Sequence, residues 1–199
     1  MKLLDKIQQE KIYGIIREDD SERAYEIARA YVEGGIKILE LNCPLDVCEK
    51  VSKIDDVIVA QGGIITTQQA HKALEAGATI ISSPIFQTNL IRFASCYKAF
   101  LIPSVTTPNE AYNAWRARMP LIKIYPVNEM GGAEYIKEMV KPMPFLNVLP
   151  CGFVKISETT DYLKAGAKAV GIGRELYAKT NYKEIVEAAK SVVDMVRQF

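Results

Sequence analysis

Residues 33–41 read EGGIKILEL, residues 75–83 read EAGATIISS and residues 164–172 read KAGAKAVGI. In each, a segment of helical periodicity runs into a glycine and then into a short apolar run. Gly34, Gly77 and Gly166 are the expected C-caps, left-handed residues that end a helix before a strand begins. They stand 43 and 89 residues apart, the second interval about twice the first. A period of that size is two strand–helix units, so these stretches predict a fold built from similar quarters.

Outward from them the same alternation fills the chain. Eight apolar runs occur, at 11–17, 36–42, 57–62, 79–84, 99–105, 121–126, 147–152 and 168–173. They are rich in Ile, Val and Leu and nearly continuous in hydrophobicity. Strands of a parallel sheet look like this because both faces are buried. Between them lie amphipathic helical segments such as SERAYEIARAYVEGG, and strand–helix alternation predicts βαβ units. Eight units in 199 residues is about 25 residues each, compact for a (β/α)8 barrel. An open doubly wound sheet is the runner-up. REDDSE after the first run, with no GxGxxG, disfavours a dinucleotide-binding version of it. No linker or composition shift interrupts the pattern, so residues 1–199 are read as one domain with a short amphipathic helix, MKLLDKIQQE, at its start. PMPF at 142–145 is read as a turn before a strand.

Composition removes several function classes. Half of the residues are hydrophobic (49%) and a quarter charged (25%), the balance of a globular chain with a real core. Lys plus Arg is 25 against 24 for Asp plus Glu, which leaves no basic excess to track a phosphate backbone. No nucleic-acid partner is expected. No apolar run approaches the ~20 residues of a membrane helix, and the start lacks a signal peptide's apolar core. The expected location is therefore cytoplasmic, with no membrane partner. One histidine, His71, excludes a His-rich metal site; it sits on the polar side of a predicted helix. Cys43, Cys48, Cys96 and Cys151 form no CxxC pair and are read as free thiols. Trp115 is expected on a helix, packed against a neighbour.

In a barrel, functional residues sit at the carboxyl ends of strands. Three charged side chains interrupt or end the apolar runs there: Arg17, Glu40 and Lys123. Alternation puts Ile122 and Ile124 on the face under the helices and points Lys123 inward. A desolvated lysine amine attacks ketones. Its bland alternative is an ion pair with Glu40. On alternation, Ile36, Ile38 and Glu40 share a face; if that face is interior, Glu40 lies beside the lysine, as proton carrier or as ion-pair partner. Arg17 either binds a substrate carboxylate or pairs with Glu18, Asp19 or Glu40. Gly173 and Arg174, in GIGREL, either receive an anion or make a simple turn.

Taken together, EGGIKILEL, the Gln-Gln after VIVAQGGIITT, GATIISSP, FLIPSVTTPNE, LIKIYPVNEMGG and KAGAKAVGIG resemble the bacterial 2-keto-3-deoxy-6-phosphogluconate and 4-hydroxy-2-oxoglutarate aldolases. The resemblance covers nearly the whole chain. Its most specific element is K-x-[FY]-P followed by Gly-Gly, here Lys123, Tyr125, Pro126, Gly131 and Gly132. It implies a (β/α)8 barrel, usually a homotrimer, and a metal-independent reaction with no cofactor beyond a covalent Schiff base. Lys123 would form the imine with C2 of a small 2-keto acid, Glu40 would shuttle protons, and pyruvate and an aldehyde would result.

The resemblance also shows departures. Pro44 stands where family members commonly have a carboxylate-binding arginine, and members without it can keep one where Arg17 stands. Gly63 replaces the threonine of the GAGT motif, with Gln61 nearby. Pro84 is followed by Ile85, and Pro103 by Ser104, where glycines are usual. The T-G-G that holds a phosphate is here Cys151, Gly152 and Phe153, and Arg174 ends the last glycine motif. Arg17, Gly63, Pro84, Gly152, Gly173 and Arg174 are the expected substrate-binding positions. An aldolase of altered specificity, an orthodox phosphorylated-sugar-acid aldolase and a non-catalytic barrel that binds a keto acid or protein partner all remain compatible with this pattern.

Overall fold

A computed structural model describes residues 2–178 and 181–199. Among them, eight strands alternate with helices: β1 (Ile12–Arg17), β2 (Ile38–Asn42), β3 (Ile58–Gln61), β4 (Ile80–Ser83), β5 (Phe100–Val105), β6 (Ile122–Ile124), β7 (Val148–Pro150) and β8 (Val170–Ile172). Each falls inside one of the apolar runs. The helices are α1 (Leu3–Glu10), α2 (Ser21–Glu33), α3 (Leu45–Val51), α4 (Thr67–Glu75), α5 (Thr88–Tyr97), α6 (Pro108–Arg116), α7 (Gly132–Val140), α8 (Thr159–Lys164), α9 (Arg174–Tyr177) and α10 (Tyr182–Arg197). The strands are parallel and run in the order β7-β6-β5-β4-β3-β2-β1-β8. A bridge between Cys151 and Gly171, with Lys168 N–H donating to Val148 O at 3.0 Å, joins β7 to β8. That contact closes the sheet into a (β/α)8 barrel and rules out the open doubly wound alternative.

Alternation along each strand divides the core in two. Outward residues such as Ile16, Leu39, Ile122 and Ile124 pack under the helices. Inward residues, among them Tyr13, Ile38, Ile80, Ile102, Leu121, Leu149 and Ala169, form a separate interior cluster. Ile7, with Leu3 and Leu4 beside it, closes the bottom of this cluster from α1, which is why the chain's start is amphipathic.

The helix-to-strand turns repeat, with one correction. Gly34 is in the right-handed region, φ −74°, and the left-handed residue is Gly35, φ +93°. Gly34 is small for another reason: a Cβ there would lie 2.4 Å from the Ala189 Cβ, where α10 crosses α2. Gly35, Gly77 and Gly166 therefore form the true set, and Arg118, φ +62°, occupies the same place before β6. At all four, the following N–H reaches back five residues to close the helix: Ile36 to Tyr31, Ala78 to Ala73, Met119 to Ala114 and Ala167 to Tyr162, at 2.9–3.1 Å. This is a Schellman cap. A second correction follows: β2 begins only at Ile38, and Ile36, still in the turn, packs in the outer core and not with Ile38 inside. Trp115 lies on α6 with its ring against Tyr112 and Phe145, at 5.8 and 4.3 Å between centroids.

Candidate active site

Inward residues of the even strands stack in two tiers, as alternate strands of such a barrel do. Ile38, Ile80, Leu121 and Ala169 make the lower, apolar tier. Two residues further along each strand come Glu40, Ser82, Lys123 and Gly171, which floor a cleft of about 1180 Å³ at the carboxyl ends of the strands. Glu40, Ser82 and Lys123 are 4%, 1% and 5% exposed. A polar tier thus rests directly on an apolar one.

Its bonding is nearly complete. Lys123 Nζ donates to Glu40 Oε2 and, at 2.7 Å, to Ser82 Oγ. The same ammonium lies 5.7 Å from the centroid of the Tyr13 ring. Asn42 Nδ2 donates to the other carboxylate oxygen, Glu40 Oε1, at 3.2 Å. Burial works to raise the pKa of Glu40. The charge and hydrogen bond of Lys123, with further hydrogen bonds from Ser82 and Asn42, outweigh burial and hold the carboxyl below its ordinary value. Burial, and then the charge of Glu40, push the Tyr13 hydroxyl well up. Burial pushes the Cys151 thiol up to about 12; Glu40 adds to this and Lys123 opposes it. That thiol stays protonated and is no nucleophile at neutral pH.

The eight expected site residues all line this one cleft: Lys123, Glu40, Arg17, Gly63, Pro84, Gly152, Gly173 and Arg174. Lys123 and Glu40 are at its floor, while Arg17, Pro84 and Arg174 are exposed at its rim. No carboxylate among the described residues pairs with Arg17. The Glu18 carboxylate accepts instead from the backbone N–H groups of Asp19 and Asp20, at 2.9 and 3.2 Å. His71 lies on α4, away from the cleft, with its ring 5.3 Å from that of Tyr97. All four cysteines are free.

A model of the KDPG and KHG aldolases matches residues 3–190. The chain belongs to that family. A 2-dehydro-3-deoxy-phosphogluconate aldolase of Haemophilus influenzae is 21% identical over 98% of this chain and 97% of its own. The fold agrees with that of the 2-keto-3-deoxy-6-phosphogluconate aldolase of Zymomonas mobilis, solved with 3-phosphoglycerate, at a TM-score of 0.88 and 23% identity over 97% of this chain and 96% of that one. A KDPG aldolase of Legionella pneumophila, solved with pyruvate captured as a covalent carbinolamine intermediate, superposes at 0.86 with 23% identity, covering 96% and 98%.

For this KDPG/KHG aldolase relative, the rim shows what its departures do. Gly152 has φ +103°, and a Cβ there would meet Pro126 Cα at 2.8 Å, so packing on the turn after β6 demands glycine whatever the cleft binds. Phe153 follows at φ +57° and is 62% exposed. A large side chain in the left-handed region is strained, and an exposed phenyl adds nothing to the core. Gly173 is close to the Ile15 carbonyl, 3.1 Å from where a Cβ would stand. Ser82, Asn42 and Tyr13 belong to the site but escape a search restricted to charged residues in apolar runs. The repeat carries the missing signal: Glu40, Ser82, Lys123 and Gly171 each stand five residues after the left-handed turn residue.

Proposed function

We propose that the chain is a Schiff-base aldolase that reversibly cleaves a 4-hydroxy-2-keto acid to pyruvate and an aldehyde. The observation that carries this reading is the Lys123–Glu40 pair, buried yet flooring an open cleft. A purely structural pair would be equally content beneath side chains. Family membership and the carbinolamine in the Legionella relative support the same chemistry.

In this mechanism the Lys123 amine, having passed a proton to its carboxylate neighbour, adds to C2 of the keto acid. Glu40 hands that proton on to the carbinolamine oxygen, which departs as water and leaves a protonated imine, whose positive nitrogen accepts the electron pair when the C3–C4 bond breaks. The lysine itself is the electron sink, so the proposed reaction runs on this chain's residues with no cofactor. Glu40 takes the proton from the C4 hydroxyl as the aldehyde forms and returns one to C3 of the enamine. Arg17, free of carboxylate partners, receives the substrate carboxylate, and Arg174 stands near the distal end. Phe153 lies where a phosphate-holding backbone would be needed, which favours an unphosphorylated substrate. A homotrimer in the cytoplasm is part of the same proposal.

Incubation with pyruvate and borohydride, followed by intact mass, tests it. An adduct mapping to Lys123 is expected, and it should vanish in Lys123→Ala. A wild-type protein that acquires no adduct would sink the aldolase reading and leave a non-catalytic keto-acid-binding barrel.

A further inference from the structure

The ammonium of Lys123 has three protons, and the overall condensation accounts for all of them. Ammonium plus ketone gives protonated imine plus water: two N–H protons leave with the ketone oxygen, and one stays on the iminium nitrogen. Charge is +1 on both sides. The proton that stays needs an acceptor too weak to remove it. Glu40 does not suit that task, because a carboxylate strips an acidic N–H, and because Glu40 must turn to the substrate's C4 hydroxyl and C3.

The other acceptor at Nζ is Ser82 Oγ, at 2.7 Å and 1% exposed. A hydroxyl accepts one hydrogen bond while donating another and is a very weak base. Its position is fixed by β4 in the even-strand tier, one strand pair from Lys123 and one from Glu40. Ser82 Oγ and Glu40 Oε2 both accept from the one Lys123 ammonium, and the hydroxyl helps to hold the Glu40 carboxyl below its ordinary value. It therefore stands beside both the nitrogen that reacts and the base that serves it.

We infer that Ser82 is a catalytic residue. Before attack, a proton passes from Nζ to Glu40 across their direct contact while the Ser82 hydroxyl goes on accepting a second Nζ proton, leaving neutral amine, protonated Glu40 and an unchanged serine. After water departs, it accepts the hydrogen bond of the iminium N–H and frees Glu40 for the cleavage step. This rests on the Schiff-base reading above and assigns a role that a lysine–glutamate pair alone leaves vacant.

The test is the rate at which borohydride-trappable pyruvate adduct forms after mixing, measured by quenched-flow and intact mass. Ser82→Ala should slow it by about 10- to 100-fold, the worth of one hydrogen bond to a charged group. Ser82→Thr, which keeps the hydroxyl, should restore it to within about 3-fold, with KM for pyruvate little changed in both. Should the alanine variant not fold, Ser82→Cys offers a near-isostere whose weak S–H and S should slow trapping similarly. Adduct formation at the wild-type rate in a folded Ser82→Ala or Ser82→Cys protein overturns the assignment while leaving the aldolase reading intact. Absence of adduct in the wild type removes both, so the two failures are distinguishable.

Discussion

Glu40 has one carboxylate oxygen on Asn42 and the other on Lys123, so the oxygen facing Lys123 is fixed in direction by the first bond. Glu40→Gln keeps the shape and the Asn42 contact but removes the base. Turnover in a cleavage assay should fall by roughly 100-fold or more. Unchanged turnover would remove Glu40 from the mechanism. Phe153 poses a different question at the rim. Its left-handed backbone is unfavourable to the fold and its exposed ring adds nothing to the core, so Phe153→Gly should keep or slightly raise the melting temperature. The same change should raise kcat/KM for a phosphorylated 4-hydroxy-2-keto acid relative to its unphosphorylated counterpart, because the backbone N–H becomes approachable. A ratio that does not move would show that Phe153 has no part in selecting substrate. Lys123 and Glu40 were both legible as polar interruptions of apolar runs. Ser82 was not, because a serine in an apolar run carries no charge to betray it.

Among the elements, α1 has the clearest mechanical role. Ile7 is fully buried and joins the interior cluster through the bottom of the barrel, beneath the tier that supports Lys123 and Glu40. Ile7→Ala should cost about 2–5 kcal/mol in urea unfolding, the range for a truncated buried isoleucine. A loss below about 1 kcal/mol would mean that the strands close the barrel floor without α1. Start signals of the other helices are local and readable: Thr66 and Thr107 each cap a helix and accept from the N–H three residues on, at Gln69 and Glu110. Their ends were less so. Two adjacent glycines, Gly34 and Gly35, fit a C-cap equally well by residue type. The choice of Gly35 comes from α10, whose Ala189 occupies the space beside Gly34. Arg118 in the fourth copy of that turn is invisible to a search for glycines, since the six-residue backbone bond holds it left-handed without one.

At the scale of the whole molecule, buried ionisable groups make stability depend on pH in two windows. Burial, chiefly, pushes the Cys48 thiol up to about 11 and the Cys151 thiol up to about 12, from an ordinary 9.0. Burial also pushes the Tyr162 hydroxyl up to about 12, from 10.0. Groups raised in the folded state contribute stability that is intact below the unfolded value and lost as pH climbs toward the folded one. Melting temperature should therefore decline from about pH 9 upward. Glu40 has the opposite sign: its contribution is present above the ordinary 4.5 and disappears as pH falls below that. A melting curve flat from pH 8 to 11, measured by circular dichroism, would contradict the alkaline part. The amino-acid sequence by itself determined the eight strands, their alternation with helices and the inward aim of Lys123, since hydrophobic period and turn chemistry act over a few residues. Only the tertiary structure decided that Glu40, Ser82 and Lys123 meet, because Lys123 is 41 residues from Ser82 and 83 from Glu40 along the chain. Closure of the barrel through β7 and β8 brings alternate strands to one level. A contact made by closure leaves no mark in a local pattern, apart from the faint one that a fourfold turn provides.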